Sequence, residues 1–152
     1  NMVLQLASSL AVSEFAELHI VHAWQATGED ALRHSGFMQR PESEIDAYVE
    51  QTRRYHATQL DDIIREVSIS LGKEAADYIK PQIHMPKGPA RKVIPELARE
   101  LQADCVVMGT VARTGIPGLI MGNTAETILD QLDCSVLAVK PPGFVTPVSL
   151  NE

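Results

Sequence analysis

The stretch that decides the fold is Asp-Cys-Val-Val-Met-Gly-Thr, at residues 104–110. Its centre is a continuous apolar run, and a second such run, Ser-Val-Leu-Ala-Val, follows at residues 135–139. Continuous apolar runs are typical of parallel strands covered on both faces, whereas strands with one wet face alternate. We therefore expect both runs at the centre of a parallel sheet, joined by a right-handed crossover through a helix at residues 123–132.

Segments with helical periodicity alternate with strand-like runs along the rest of the chain, which predicts an α/β fold. The predicted elements, in order, are a helix at 1–12, a strand at 18–24, an exposed loop at 27–41, a helix from 42 to 71, a strand at 79–85 and a helix at 90–101. Ser43 and Asp46 suggest a capping box for the long helix, and Gly72 is its natural end. Pro95 predicts that the later helix restarts there, because an interior proline costs about 3 kcal/mol.

Composition narrows the classes of function. The chain has 152 residues, of which 45% are apolar, and a formal net charge of −7, so a single domain with a sizeable core is expected. The acidic balance disfavours nucleic acid and anionic membrane surfaces as partners, and no apolar run approaches the roughly 18 residues of a membrane span. Cys105 and Cys134 lie in apolar runs and are expected to be buried, reduced thiols, which is typical of a cytoplasmic protein.

The five histidines have no spacing that suggests a metal site. His19 and His22 are three residues apart on a predicted strand, where they would point to opposite faces. The others, His34, His56 and His84, are spread over loop, helix and strand. We therefore interpret the histidines as structural side chains and expect no metal site.

The loop that leaves the strand at 104–108 is the candidate binding site, because ligands of open α/β sheets lie beyond the carboxyl ends of the strands. Glycines at four positions would let the backbone approach an anion closely; they are Gly109, Gly115, Gly118 and Gly122. A helix starting near Asn123 would add free amides. Alternatively, Asn123 and Glu126 form a capping box and the glycines only shape a surface loop.

Several stretches together resemble the universal stress protein family. They are Val-Val-Met-Gly-Thr at 106–110, Arg-Thr-Gly at 113–115, Met-Gly-Asn-Thr-Ala-Glu at 121–126 and Val-Leu-Ala-Val-Lys-Pro at 136–141. The similarity extends over nearly the whole chain. Residues 113–116 and the ending at 140–148 are most similar to the C-terminal half of tandem-domain, E-type members of the family.

The resemblance implies an open, doubly wound, five-stranded parallel sheet of order 3-2-1-4-5, a Rossmann-like fold of the adenine nucleotide alpha hydrolase type. In that alignment residues 1–12 are the first crossover helix, so the first strand would precede Asn1. Without that central strand the chain is not expected to fold alone, because each buried, unpaired backbone group costs about 1–3 kcal/mol. We expect residues 1–141 to be a single domain lacking its first strand, followed by a C-terminal tail at 142–152.

The resemblance also implies that adenine lies between the second and fourth strands, with phosphates on the loop after the fourth. The residues implied in nucleotide binding are Val21, Met108, Gly109, Thr110, Ala112, Arg113, Gly122, Asn123 and Thr124. Ala112 stands where the family's phosphate motif has its second glycine, and Asn123 where it has serine or threonine. If the position of Ala112 requires a left-handed backbone, alanine there costs about 1–2 kcal/mol, and its methyl also stands where a phosphate oxygen would approach. Together these effects correspond to about a ten-fold loss of affinity or more.

The expected function is that of a cytoplasmic stress-response protein that binds ATP or a related adenine nucleotide, with Thr110 and Thr124 able to contact phosphate or a Mg²⁺ shell. No catalytic base is evident, so any ATP hydrolysis should be slow. Two alternatives stay open. One is a dimerisation or scaffold domain that pairs with another domain of the same family through residues 136–139. The other is a domain that binds a hydrophobic small molecule, in a cavity formed by Ile45, Val49, Leu60 and Ile64.

Overall fold

The computed structural model of the chain describes residues 2–34, 40–72, 79–110 and 122–144. Its elements, in chain order, are α1 (Met2–Glu14), β1 (His19–Val21), α2 (Glu29–His34), α3 (Glu42–Leu71), β2 (Gln82–His84), α4 (Ala90–Glu100), β3 (Cys105–Gly109), α5 (Asn123–Leu129) and β4 (Ser135–Val139). The predicted alternation of helices and strands is therefore confirmed over these ranges. Ala112, Arg113, Gly115, Gly118 and the tail from residue 145 onward lie outside the described residues.

The strands form two parallel pairs. β1 pairs with β2 in the register His19↔Gln82 to Val21↔His84, and β3 pairs with β4 from Cys105↔Ser135 to Gly109↔Val139. Within the described ranges the pairs make two separate two-stranded sheets. These pairings agree with neighbours 2-3 and 4-5 of the order that the family resemblance implies. The complete five-stranded order stays a prediction.

The long helix α3 is continuous over 30 residues, which corresponds to about 45 Å. It ends at Gly72, whose φ of 83° lies in the left-handed region, as the sequence predicted. The expected capping box was wrong: Pro41 is the N-cap residue and no side chain caps the helix. The carboxylate of Asp46 instead accepts a hydrogen bond from Nη2 of Arg33 at 2.7 Å, so it is engaged outside the helix.

The segment predicted as an exposed loop at 27–41 contains the short helix α2, so that expectation was wrong over residues 29–34. Glu29 and Asp30 lie in its first turn and Arg33 in its last, where each charge complements the helix dipole. The Arg33 guanidinium pairs with Glu29 one turn earlier, at 3.1 Å, and with two carboxylates of α3, on Glu42 and Asp46. This network attaches α2 to the start of α3.

Helix α4 runs through Pro95 without a break, so the predicted restart was wrong. A proline cannot donate the backbone bond to the carbonyl four residues earlier, which here belongs to Arg91. The Nε2 of Gln131, beyond the end of α5, donates to that carbonyl at 3.3 Å. The ring of Pro95 is itself fully buried. The lost helical bond is thus replaced from outside the helix, while the ring fills part of the core.

The faces of β3 and β4 are less buried than the sequence suggested. Among the described residues, the buried apolar ones are Ala11, Trp24, Ala26, Ile45, Leu60, Val67, Ala125, Ile128 and Val139. On β4 only Val139 is buried, and Leu137 is 40% exposed. The expectation that both strands are covered on both faces was therefore wrong for the described residues. A continuous apolar run shows that a strand is hydrophobic, but it does not show which elements pack against its faces.

Both cysteines are free thiols, as expected, but their burial was overestimated. Cys105, at the start of β3, is exposed, and Cys134 is half-buried. Burial is the main cause that raises the pKa of the Cys134 thiol, and the neighbouring Cys105 contributes. Cys105 is accordingly the more accessible of the two for thiol chemistry.

Candidate functional site

Thr110 marks the candidate site, directly after the carboxyl end of β3. Only 1% of its surface is exposed. Its amide donates to the carbonyl of Val139 at 3.1 Å, and its own carbonyl accepts from the amide of Gly122 at 2.8 Å. The start of α5 is therefore attached to the end of β3. The two loop ends predicted to form the phosphate site come together at this point.

The side chain of Thr110 carries the most informative feature of this site. Among the described residues its Oγ1 has no hydrogen-bond partner although it is completely buried. Leaving a buried hydroxyl unpaired costs about 1–3 kcal/mol, and native proteins satisfy most such groups. A ligand oxygen at the carboxyl edge of β3 would satisfy this hydroxyl.

The two described glycines of the loop are not required by their own backbone conformations. Gly122 has φ −80°, and a Cβ atom there would lie 3.5 Å from the carbonyl oxygen of Thr110. A Cβ on Gly109 would lie 3.7 Å from Cγ2 of Val3. Both distances are ordinary van der Waals contacts. The amide of Gly122 is bonded to Thr110, so it does not point to a guest as the phosphate-cradle interpretation assumed.

The start of α5 also differs from both sequence interpretations. Gly122 is the N-cap residue and no side chain caps the helix, so the capping box of Asn123 and Glu126 was wrong. The carbonyl of Asn123 accepts a bond from the Thr127 hydroxyl at 2.8 Å. The side chains of Asn123 and Thr124 are exposed. They are therefore accessible at the surface beside Gly122.

The remaining predicted site residues are divided between the two sheets. Met108 is half-buried on β3, next to Gly109 and Thr110. Val21 is half-buried on β1, which belongs to the other strand pair. The structure thus groups six of the predicted residues around the end of β3 and the start of α5, whereas Val21 lies in the other sheet. The six are Met108, Gly109, Thr110, Gly122, Asn123 and Thr124. Ala112 and Arg113 fall outside the described part of the chain.

A second polar cluster, which the sequence analysis did not predict, lies just beyond β1. Trp24 forms a parallel bridge with Lys87, and its indole Nε1 donates to the carbonyl of Met85 at 3.1 Å. The Lys87 ammonium lies 2.6 Å from Glu29 Oε2 and 5.8 Å from the centre of the Trp24 ring. The hydrogen bond from Lys87 is the main cause that lowers the pKa of Glu29. The only sequence signal was the single tryptophan at the end of a predicted strand.

The histidines form two separate hydrogen-bonded pairs. Nδ1 of His19 lies 3.0 Å from Nε2 of His84, and Nε2 of His22 lies 2.9 Å from Nδ1 of His56. In each pair one ring donates and the other accepts, so at least one ring of each pair is neutral. The different partners of His19 and His22 agree with the prediction that they point to opposite faces. In the described ranges no group of three metal-binding side chains occurs.

The His22 pair predicts a loss of stability in mild acid. Burial, and secondly the charge of His56, lower the pKa of His22 from its ordinary value of 6.5. The unfolded chain then binds more protons than the folded one, so the stabilisation is complete above about pH 6.5 and is lost as pH falls through the folded pKa. We expect His22→Gln to flatten the pH dependence of the unfolding free energy, measured by denaturant titration from pH 8 to 5. The exposed His34 provides the control, because His34→Gln should leave the slope as it is; an unaltered slope in His22→Gln would contradict the prediction.

In the ranges that the structure describes, no helix combines the length and the apolar character needed to cross a bilayer.

In the described residues, parallel strand pairs are connected through helices, which makes this an α/β protein. Residues 2–140 match the universal stress protein family. The chain therefore belongs to that family, as the sequence motifs predicted.

Two similar proteins place the chain more closely within the family, and a third shows the same fold. It is 34% identical over 149 residues to Universal stress protein E of Salmonella typhi, an alignment that covers 98% of this chain and 42% of the relative. A solved structure from Pseudomonas aeruginosa UCBPP-PA14, assigned to the universal stress proteins, is 30% identical with a TM-score of 0.59, covering 91% of this chain and 39% of that one. A universal stress protein in complex with cAMP is 20% identical with a TM-score of 0.52, covering 91% and 85%; this likeness shows the fold alone.

The coverage differs between these relatives. The chain spans about two-fifths of Universal stress protein E and of the Pseudomonas protein, but most of the cAMP-bound protein. The predicted resemblance to E-type members is confirmed. The coverage agrees with a match to one half of a longer, tandem-domain relative.

Proposed function

We propose that this chain is a universal stress protein domain that binds an adenine nucleotide at the carboxyl end of β3, in the cytoplasm. The observation that carries the proposal is the buried Oγ1 of Thr110, which has no hydrogen-bond partner among the described residues. A phosphate or ribose oxygen would supply that partner. The cAMP complex of a protein with the same fold supports the choice of an adenine nucleotide.

The described residues fit a nucleotide better than they fit a bound metal. Thr110 and Thr124 offer hydroxyls on either side of Gly122, and the exposed Asn123 offers an amide. If ATP is the ligand, Mg²⁺ would be held mainly by the phosphates and water, as is usual for this ion. In the described part of the chain, the backbone hydrogen bonds of Thr110 and Gly122 involve neither a carboxylate nor an imidazole, and the Thr110 hydroxyl has no partner. The proposal is therefore one of binding and not of rapid turnover.

Thr110→Val is expected to weaken nucleotide binding about 10- to 150-fold while leaving the protein folded. Valine removes only the hydroxyl, and a hydrogen bond to a charged group contributes about 1.5–3 kcal/mol. Because that hydroxyl has no partner among the described residues, its loss should leave the unfolding free energy unchanged or slightly raised. Isothermal titration of the full-length protein with ATP and with cAMP measures the affinity, and denaturant unfolding measures stability.

Thr52→Val on α3 is the matched control, because its hydroxyl bonds the carbonyl of Tyr48 at 2.9 Å, within its own helix. It should leave the affinity unaltered. The proposal fails if the full-length protein takes up neither nucleotide at millimolar concentration. If Thr110→Val binds the nucleotide with wild-type affinity, the Thr110 hydroxyl does not contact the ligand. Nucleotide binding by the domain would still hold in that case.

We propose in addition that β4 contacts another domain of the same family, through residues 136–139. The specific observation is Leu137, an apolar side chain that is 40% exposed on a strand paired on one edge only among the described residues. An open strand edge with exposed apolar side chains favours pairing with a second chain or domain. A two-fold contact would bring β4 against its equivalent.

A hydrophobic ligand held by α3 has less support. Ile45 and Leu60 are only 4% and 6% exposed, and Val49 and Ile64 are half-buried. Side chains at these spacings and burial levels are typical of the packed face of an amphipathic helix. Ordinary core packing therefore accounts for this group.

A further inference from the structure

Lys140, which is not among the predicted site residues, stands at the end of β4. It follows Val139 directly, and Val139 is opposite Gly109 in the register of the β3–β4 pair. The amide of Thr110 donates to the carbonyl of Val139 at 3.1 Å, so the pairing continues one residue beyond both strands. Lys140 therefore lies opposite Thr110, at the carboxyl edge where the candidate site begins.

The pairing ends at this point because of Pro141. In the parallel ladder the next bond would join the carbonyl of Thr110 to the amide of residue 141, and proline has no N–H. The Thr110 carbonyl accepts from Gly122 instead, at 2.8 Å. Opposed residues of neighbouring strands direct their side chains to the same face, with the strands about 4.8 Å apart. The register thus puts the side chains of Thr110 and Lys140 next to each other on one face.

A tight turn after β4 holds an aromatic ring against Lys140. The amide of Phe144 donates to the carbonyl of Pro141 at 3.1 Å, and Gly143 between them has φ 76°. With proline at residue 142, that φ identifies a type II turn. The ammonium of Lys140 lies 4.9 Å from the centre of the Phe144 ring, within the range of a cation–π interaction. The turn therefore helps to fix the position of this charge near the carboxyl edge.

The two ends of the β3–β4 pair differ in charge. Asp104 and Asp133 precede the strands at the amino edge, where Arg99 lies 3.9 Å from Asp133. Lys140 stands at the other edge, next to a buried hydroxyl that has no partner among the described residues. In a chain with a formal net charge of −7, a local cation offsets the general repulsion of an anion. The carboxyl edge thus combines a hydrogen-bonding group and a cation for an anionic ligand.

We propose that Lys140 is a phosphate-binding residue, and that it makes the site selective for nucleotides with a chain of two or three phosphates. This inference rests on the proposed function, because it concerns the same nucleotide site. The Thr110 hydroxyl bonds an oxygen at the buried end of the site, and the longer Lys140 side chain contacts the phosphates that lie further out. An ammonium is a compact point charge, so it stabilises each additional negative charge on the chain. A neutral hydroxyl does not discriminate between ligands in this way.

Isothermal titration of the full-length protein with AMP, ADP and ATP, in EDTA to remove divalent cations, tests the proposal. The three ligands differ only in the number of phosphates. We expect the wild-type affinity to increase at least about ten-fold from AMP to ATP, as one charge-assisted contact allows. In Lys140→Met most of that increase should be lost, while the AMP affinity stays within about two-fold of wild type. Lys140→Arg, which keeps the charge, should retain the increase.

Arg99→Met is the matched control, because it removes one positive charge from the opposite edge of the same strand pair. It should leave the ratio of ATP to AMP affinity unchanged. Methionine at residue 140 keeps most of the apolar stem of lysine, so the fold should be retained, which circular dichroism checks. Lys140→Gln is a second variant with the same expected loss.

The outcomes separate this inference from the proposed function. If Lys140→Met and Lys140→Gln keep the wild-type ratio of ATP to AMP affinity, the inference is wrong while nucleotide binding stands. The same conclusion follows if the wild-type protein binds the three nucleotides equally well. If it binds none of them at millimolar concentration, the proposed function fails and the inference fails with it. If neither variant folds, the wild-type ATP affinity should still fall more steeply with KCl concentration than the AMP affinity; equal slopes would overturn the proposal.

Discussion

Replacing Trp24 with alanine is expected to lower the free energy of unfolding by about 3–5 kcal/mol, the range typical of large aromatic residues removed from a core. Trp24 is 5% exposed, although it lies just beyond β1. Its ring contacts His56 of α3, with the ring centres 6.2 Å apart, and its Nε1 bonds the carbonyl of Met85. The substitution would therefore loosen α3 and the segment after β2 together. Denaturant unfolding measures the loss. It is followed by circular dichroism, because Trp24 is the only tryptophan and the variant has no tryptophan fluorescence.

Trp24→Phe separates packing from hydrogen bonding at this position. Phenylalanine keeps an aromatic ring but leaves the Met85 carbonyl without its donor, so a smaller loss of about 1–2 kcal/mol is expected. A cost below 1 kcal/mol for Trp24→Ala would show that the ring does not hold β1, β2 and α3 together. Equal costs for the two variants would assign the effect to the hydrogen bond.

Leu137→Lys is expected to weaken association through β4 at least 100-fold, a change equivalent to about 2.7 kcal/mol. An apolar side chain at the centre of an interface is replaced by an ammonium that must lose its water there. The isolated fold should change little, because Leu137 is 40% exposed and lysine is common on edge strands. Sedimentation velocity of the full-length protein measures the dimer affinity. For a partner domain in the same polypeptide, small-angle scattering would show an increased radius of gyration.

Ile83→Lys is the matched control, since Ile83 is a comparably exposed apolar residue on the other strand pair, at 48%. It should leave both the association and the radius of gyration unchanged. If the two lysine variants behave alike, residues 136–139 do not form the contact. Unaltered association in Leu137→Lys alone leads to the same conclusion.

The sequence predicted β3 and β4 better than their surroundings, whereas the strands predicted at 18–24 and 79–85 are only three residues long in the structure. The predicted strand at 135–139 has the same bounds as β4, and the predicted strand at 104–108 is shifted by one residue from β3. Both predictions succeeded because apolar β-branched runs strongly favour strands. The burial of the faces of these strands could not be predicted. The exposure of Leu137 depends on which other elements pack against β4, and the local sequence does not identify them. The long helix was also predicted through to Gly72, where the required left-handed φ favours glycine.

The errors share a physical cause, which is competition between local signals and distant partners. Asp46 has the residue type of a capping box, but the guanidinium of Arg33 engages its carboxylate. Pro95 has the signature of a helix start, but Gln131 satisfies the carbonyl it leaves free. At the candidate site, the motif indicated the importance of Thr110 and Gly122 but not the bond between them. The motif also does not show that the Thr110 hydroxyl is buried without a partner among the described residues, because burial depends on distant parts of the chain.

The replacement of a helical bond at Pro95 by a side chain from beyond α5 makes two distant positions interdependent. While residue 95 is a proline, residue 131 needs a side chain long enough to reach the Arg91 carbonyl and able to donate to it. If alanine stood at 95, the helix would restore its own bond and residue 131 would be released from that requirement. The effects of substitutions at 95 and 131 should therefore be non-additive, so the order in which the two positions change determines which substitutions are tolerated.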